Sequence, residues 1–517
     1  MNQCKKFYIT TSILYASAIP HIGNIYEIIL ADAIARFKRL EGYDVFFQTG
    51  TDEHGQKIAQ IANKKQIEPQ IYVDHISNQI KNIYKKINIQ YDYFIRTSDP
   101  NHKKSVQLIM DKLLAKGDIE LGVYEGWYSV SAESYITEKD IINGKTVYGD
   151  VPVWTKEQVF FFKLSRYQQR LFNYLNDNLN LILPINKKKE ILNLLNKTLP
   201  DLSISRTSLK WGIPLNFDLQ HIVYVWIDAL SNYINGLGYQ PTASLEKQST
   251  LFNKYWPCDL HVIGKDISRF HLIYWPILLM ALDLPLPKQF LIHPWILFNN
   301  QKMSKSTNNV LYVDDLLNLF SVDAIRYFVL HEIPYSSDGI LTNDLLLERY
   351  NTDLVNTLGN LLSRVLGMLH KYCNCQLIKP TSKKTSLNPN IINLPQKALM
   401  LLPMIRNDML FFRVGDALER IINFTRLCNK YIDVVQPWSL VEKSVNKPKI
   451  NEFLYNLIES LRFIGILLQP FLPTTSKNIL TQIKAEQTTF DSLKNFNITQ
   501  SKILYPGKKL FERLDKI

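Results

Sequence analysis

An α/β fold, with a parallel sheet split by a β-rich insertion and an α-helical bundle after it, is predicted by three features of the chain. Near the N-terminus a strand, a helix and a second strand follow one another, which is how a parallel sheet begins. Residues 124–153 turn rich in aromatic, β-branched and glycine residues, the texture of inserted strands. From Val313 onward, apolar residues recur with the helical period almost without interruption.

Composition bounds the function. The 517 residues suffice for a large core and suggest roughly three domains. With 46% hydrophobic residues the chain is globular, and a net charge of +13 favours a polyanionic partner, nucleic acid over membrane. An AT-rich genome would also produce this abundance of Ile, Asn and Lys, so charge alone assigns nothing. The five cysteines, at 4, 258, 373, 375 and 428, are too few and too scattered for a disulfide framework or a CxxC pair, and a cytoplasmic location is expected. Lys5 and Lys6 ahead of an apolar run imitate a secretory signal, but Thr10, Thr11 and Ser12 interrupt that run. The best candidate for a membrane span, residues 274–282, is short and carries Pro276.

In chain order, Phe7-Tyr8-Ile9-Thr10-Thr11 is rich in β-formers and breaks at Ala16, Ser17, Ala18 and Pro20. After His21-Ile22-Gly23-Asn24, apolar residues at Ile25, Ile28, Ile29, Ala33, Phe37 and Leu40 mark a helix that stops at Gly42, a natural left-handed cap. The helix start presents unpaired N–H groups and the positive end of the dipole, and Gly23 lets a bulky anion approach. It reads either as a nucleotide-phosphate site or as an ordinary strand-to-helix turn with a surface histidine. Tyr43-Asp44-Val45-Phe46-Phe47-Gln48-Thr49-Gly50 is the second strand. Ligands in parallel sheets bind beyond the carboxyl ends of strands, where Thr51-Asp52-Glu53-His54-Gly55 stands here. Its carboxylates could hold a substrate ammonium, open the next helix as a capping box, or divide the two roles.

Residues 81–114 read as helical, and so do residues 158–183 through Phe161, Leu164, Leu171 and Leu175. The sheet is expected to resume at Ile222-Val223-Tyr224-Val225-Trp226-Ile227 and at Leu260-His261-Val262-Ile263, which ends in Gly264-Lys265-Asp266. The insertion is thus about a hundred residues, a normal size for an extra subdomain. Downstream, Lys302-Met303-Ser304-Lys305-Ser306 sits between polar turn formers, a basic loop able to neutralise a polyphosphate.

The pairing of a HIG-type turn with a KMSKS loop resembles the class I aminoacyl-tRNA synthetases, and within them the methionyl-tRNA synthetases of compact bacterial type. The likeness runs nearly end to end. Its carriers are Tyr15-Ala16, His21-Ile22-Gly23-Asn24, Thr49 to Gly55, Ile204-Ser205-Arg206, Tyr224-Val225-Trp226-Ile227-Asp228-Ala229-Leu230, Gly264-Lys265-Asp266, Phe270-His271 and KMSKS. The resemblance implies a Rossmann-like sheet and a ligase that activates L-methionine with ATP and Mg²⁺ and transfers it to tRNA(Met), initiator and elongator. His21, Asn24, Lys302 and Lys305 would be catalytic, with Gly23, Lys265 and Asp266 completing the ATP site. Ile13, Tyr15, Trp226, Ala229, Leu230, Tyr233, Phe270 and His271 would shape the methionine side-chain pocket, Tyr233 offering its hydroxyl to the sulfur, while Asp52 and Arg206 address the α-amino end.

Two departures from the family pattern matter. Asn24 stands where the motif name has histidine, and it can still donate an N–H bond. Many relatives carry a zinc knuckle in the insertion, but here Ser129 and Ala132 replace the first thiols and no cysteine lies between residues 5 and 257, so no metal site is expected.

After KMSKS, helical stripes occupy residues 313–319, 324–330, 345–369, 398–429 and 453–468. In the matched family Asn360, Arg364, Pro437 and Trp438 would meet the anticodon, where bases are read by stacking and by amide or guanidinium hydrogen bonds. The alternative is a tryptophan capping the bundle core. The expected organisation is a first catalytic half at 1–118, a connective insertion at 119–215, a second catalytic half at 216–290, a KMSKS and stem-contact region at 291–345, and the anticodon-binding bundle at 346–517. With the chain stopping soon after the bundle, a monomer is expected.

Overall fold

The structure, a computed structural model, describes residues 5–130, 134–136, 138–146, 149–303, 309–380, 392–440 and 446–516. It divides into two compact units, Met1–Pro20 with Asp44–His293, and His21–Tyr43 with Pro294–Ile517.

The first unit is built on a seven-stranded sheet in which every pairing is parallel. Lys6–Thr11 lies near its centre, with Ile9 beside Phe47 of Asp44–Asp52 on one side and beside Leu260 of Leu260–Gly264 on the other. Phe290–His293 and Ile182–Leu183 extend one flank, and Leu14–Tyr15 and Tyr93–Arg96 pair with Asp44–Asp52 on the other. Residues 7–11 are all buried, Thr10 and Thr11 included, which is why the strand shows no alternation of polar and apolar residues. The second strand runs on through Gly50 to Asp52. A Cβ at Gly50 would stand 2.0 Å from the carbonyl oxygen of Ile95, so only glycine admits the neighbouring strand.

Three sequence expectations are corrected here. The stretch read as one helical region contains two helices, Pro69–Lys86 and Pro100–Ala115, separated by the strand Tyr93–Arg96, which is too short and too mixed in polarity to announce a period of two. Phe161 belongs to the strand Val153–Phe162, which runs antiparallel to Ile119–Ser129 from Ile119 opposite Phe162 to Tyr128 opposite Val153; the helix starts only at Gln168. The run from Ile222 is strand only at Ile222–Val223, paired with Ser205–Arg206 outside the large sheet, and then becomes the helix Val225–Asn235. All eight residues 227–234 are buried, so this helix lacks the polar face that would have revealed its period.

The second unit holds the helices Leu394–Met409, Val414–Val435, Lys447–Leu468 and Pro473–Gln482, preceded by a continuous helical segment. That segment runs as Asn343–Arg349, a wider-wound stretch Tyr350–Gly359, and Asn360–Cys373. The stripe expected over 398–429 is broken between Met409 and Val414, where Phe412 takes a left-handed φ of 53°. The helix Ile22–Leu40 belongs to this unit, packing on Val322–His331, Val414–Val435 and the strand Ile296–Phe298. Its C-terminal turn ends as the sequence implies, with Gly42 at φ 86°.

A buried ion pair fixes that helix. Asp32 and Arg326 are both fully buried, with Nη2 2.7 Å from Oδ2, and Arg36 Nε reaches the same carboxylate at 2.7 Å. Arg326 also donates to the carbonyls of Phe471 and Pro470, at 2.8 and 3.2 Å. One guanidinium therefore ties the helix that begins at Ile22 to the end of Lys447–Leu468.

Candidate active site

In the second unit, His21 is the N-cap of Ile22–Leu40. Its Nδ1 accepts from the Gly23 N–H at 3.1 Å, and its own N–H donates to Asn24 Oδ1 at 3.2 Å, a reciprocal capping box. With Nδ1 accepting, the imidazole proton of the neutral ring sits on Nε2, a donor, and the amide nitrogen of Asn24 is a second. A Cβ on Gly23 would meet the His21 ring at 3.0 Å and Met303 Cε at 3.3 Å, and the Ile22 N–H donates to the Leu311 carbonyl at 2.9 Å. The flanks of the basic loop thus lie against the first turn of this helix.

Lys302 stands on a hairpin in which Ile296–Phe298 pairs antiparallel with Gln301–Lys302, Leu297 opposite Lys302. Asn299 and Asn300 form its two-residue turn with φ of 51° and 63°, the left-handed pair that a tight hairpin requires and that asparagine tolerates. Lys305 lies outside the described residues.

In the first unit, Trp226, Ala229, Leu230 and Tyr233 follow the spacing of one helical face on Val225–Asn235. Trp226 stacks on Phe270 with ring centroids 3.6 Å apart and planes within 6°, and His271 stands edge-on to Trp226. Tyr233 Oη lies 2.6 Å from His271 Nε2, while His271 Nδ1 lies 3.1 Å from the Ile267 carbonyl. A carbonyl only accepts, so Nδ1 carries the ring proton, Nε2 accepts, and the Tyr233 hydroxyl donates. Burial pushes the His271 pKa down to about 4, keeping the ring neutral. In this structure the Tyr233 hydroxyl proton, which the resemblance offers to the methionine sulfur, is given to His271.

Ile13 precedes the short strand Leu14–Tyr15, whose pairing sets Tyr15 directly beside Asp52. Arg206 is buried, with Nε 2.5 Å from Glu157 and the guanidinium 3.8 Å over the Tyr128 ring. Lys265 and Asp266 occupy a single tight turn at the end of Leu260–Gly264.

The capping-box reading of Asp52 and Glu53 is corrected. Gln56–Lys64 begins at Gly55, φ 114°, with no side-chain cap. Glu53 is instead fully buried against Arg96, which grips it with Nε and Nη2 at 2.7 and 2.8 Å, and it accepts from Ser98 and Thr51 as well. His54 Nδ1 meets Asp228 Oδ2 at 2.6 Å, and His102 Nε2 meets the other oxygen at 2.7 Å. Burial raises the Asp228 carboxyl, but His54 and His102 outweigh it and hold its pKa below the ordinary value. Sequence reasoning missed this cluster, since nothing local links residue 228 to 54 and 102.

The profile described as "tRNA synthetases class I (M)" matches residues 7–146 and 137–366, and that of the "Anticodon-binding domain of tRNA ligase" matches 401–517. The chain belongs to the class I tRNA synthetases. Methionine–tRNA ligase of Clostridium acetobutylicum is 47% identical over 100% of this chain and 79% of its own length, and that of Clostridium perfringens is 47% identical over 99% and 79%. Among solved structures, Mycobacterium tuberculosis methionyl-tRNA synthetase bound by methionyl-adenylate matches with a TM-score of 0.91 at 37% identity, covering 98% of this chain and 100% of that one. The free form of that enzyme matches at 0.85 and 34%, covering 100% and 99%.

In this synthetase, Asn360 and Arg364 lie one turn apart on Asn360–Cys373, Asn360 exposed. Arg364 Nη2 meets Asp433 Oδ1 at 2.6 Å. Asp433 lies in the last turn of Val414–Val435, after which Gln436 takes φ 49° and Pro437–Leu440 begins. Pro437 is buried, whereas Trp438 is 50% exposed, so it is not a plug in the bundle core. In the insertion, Ser129 and Thr146 donate their hydroxyls to the two oxygens of Asp150; Ala132 lies outside the described residues.

Proposed function

We propose that this synthetase is a methionine–tRNA ligase that condenses L-methionine with ATP to methionyl-adenylate, releasing pyrophosphate, and transfers the methionyl group to the 3′-terminal ribose of tRNA(Met), initiator and elongator. The observation that carries the amino-acid assignment is the stacked Trp226–Phe270 pair beside the neutral Tyr233–His271 couple. A thioether chain is uncharged and polarizable, and it suits aromatic faces with no ionised group among them.

Activation needs little from the protein beyond positioning and compensation of charge that builds on the leaving phosphates. His21 Nε2–H and the Asn24 amide nitrogen are suited to phosphate oxygens, as is the positive end of the helix dipole, with Gly23 leaving room for their approach; the Ile22 and Gly23 N–H groups themselves donate to the Leu311 carbonyl and His21 Nδ1. Lys302 and Lys305 would meet the β and γ phosphates, and Lys265 and Asp266 the rest of the nucleotide. Among the described residues no group of three or more His, Cys, Asp or Glu could cage a metal ion. Mg²⁺ would arrive with ATP, whose phosphates supply most of its ligands.

Ile13, Tyr15, Ala229 and Leu230 would complete the side-chain pocket. Asp52 would take the ammonium, with Tyr15 beside it. A guanidinium repels an ammonium, so Arg206 would serve that end through Glu157. Asn360, Arg364, Pro437 and Trp438 would read the anticodon, and residues 346–517 would be the domain that carries them, after the catalytic halves at 1–118 and 216–290, the insertion at 119–215 and the linking region at 291–345. The enzyme would work in the cytoplasm as a monomer, without zinc.

Charging of purified tRNA(Met) with labelled methionine tests the assignment. Methionine attached to the tRNA in an ATP-dependent reaction is expected; adenylate formation without transfer to tRNA would reject the second half of it.

A further inference from the structure

We propose that Trp295 is a positioning residue for Lys302, holding its ammonium ready for the polyphosphate of ATP. The inference rests on the reading that Lys302 meets the nucleotide. Leu297 is the residue opposite Lys302 in the hairpin, and Trp295 lies two positions before it, on the same face and diagonal to the lysine. Lys302 Nζ stands 4.0 Å from the centroid of the Trp295 ring, well within cation–π range.

The platform beneath that contact is held at several points. The Trp295 N–H donates to Asp338 Oδ1 at 3.0 Å, and its carbonyl accepts from the Gly339 N–H at 3.0 Å. Ile296–Phe298 continues in parallel pairing with Gly339–Leu341, and a Cβ on Gly339 would stand 2.6 Å from Ile333 Cδ1, so that strand can come no closer with a larger residue. The left-handed turn at Asn299 and Asn300 sets the register that brings Lys302 to the ring.

A lysine stem left to itself samples many rotamers, and ordering it on binding weakens the interaction. The ring removes part of that disorder before ATP arrives. A cation–π contact at a part-exposed ring is also weak enough for a triphosphate to displace it. Met303, the next residue, lies against Gly23 at the first turn of Ile22–Leu40, so the ring holds the lysine on the segment that borders the proposed phosphate-binding turn.

The test measures methionine-dependent pyrophosphate exchange for Trp295→Leu, Trp295→Phe, Lys302→Ala and the double variant Trp295→Leu/Lys302→Ala, with melting temperature alongside. Trp295→Leu is expected to raise KM for ATP about two- to fivefold while KM for methionine and melting stay put, and Trp295→Phe, which keeps a ring face, recovers part of the loss. In the Lys302→Ala background the same leucine substitution should add nothing, because the two residues act as one unit. An equal loss from Trp295→Leu with and without Lys302, or none at all while Lys302→Ala is impaired, overturns the positioning role. If Lys302→Ala itself leaves KM for ATP unchanged, the nucleotide reading of Lys302 has failed, and this inference with it.

Discussion

Tyr233 gives its hydroxyl proton to His271 across 2.6 Å, and the Ile267 carbonyl opposite Nδ1 leaves the imidazole no other way to satisfy both nitrogens. Tyr233→Phe removes the donor to a buried Nε2, a cost of about 1–3 kcal/mol. KM for methionine should rise roughly tenfold or more with KM for ATP unchanged, measured by varying each substrate in pyrophosphate exchange. An equal rise for both substrates would point to general loosening instead.

The same pair sets a pH dependence. Burial depresses His271 from 6.5 to about 4, so the neutral arrangement is fully present above pH 6.5 and is lost as pH falls towards 4. Methionine binding at equilibrium should weaken over that window, and His271→Gln should flatten the response.

His331 behaves in the opposite sense. Burial opposes its charge, but Glu332 at 2.5 Å and Glu419 at 2.7 Å outweigh burial and raise its pKa to about 9. The histidine is charged in the fold, so its contribution is complete below pH 6.5 and disappears as pH rises through 9. Melting temperature followed from pH 6.5 to 9.5 should fall more steeply in the parent protein than in His331→Ala. Parallel slopes would remove His331 from this role.

Asp32 and Arg326 offer a test of what holds the helix bearing His21. Breaking a fully buried pair costs up to about 3–5 kcal/mol, here reduced by Arg36, which stays 2.7 Å from the Asp32 carboxylate when Arg326 is removed. Arg326→Met should lower the urea midpoint sharply, and Asp32→Leu/Arg326→Met should recover much of that loss. A double variant no more stable than Arg326→Met would show that the carbonyl contacts of Arg326, not the ion pair, carry the stability.

Where a segment's period matches its burial, the chain declares itself. Phe7 to Thr11 is buried throughout and reads as a strand, and the helix from Ile22 ends at a glycine that does take a positive φ. Val225–Asn235 misled because a helix buried on nearly all sides has no polar face, and Tyr93–Arg96 because four residues show no period. The motifs marked His21, Lys302, Asp52 and the aromatic pocket, but long-range partners leave no local trace. Glu53 with Arg96, Asp228 with His54 and His102, and Asp32 with Arg326 became visible only in the fold.

Trp438, half-exposed beside the turn that follows Asp433, should separate the two half-reactions. Losing a base stacked on an aromatic ring costs about 1–3 kcal/mol, roughly ten- to a hundredfold in transfer efficiency. Trp438→Ala is expected to leave exchange and melting near normal while aminoacylation falls. Exchange and charging falling together would assign the residue to the scaffold.

Whether this chain activates methionine is read from exchange of labelled pyrophosphate into ATP with a panel of amino acids. Exchange is expected to depend on methionine and to be weak or absent with isoleucine, valine, leucine and cysteine. Exchange driven by one of those in preference to methionine, or no amino-acid-dependent exchange at all, would contradict methionine activation.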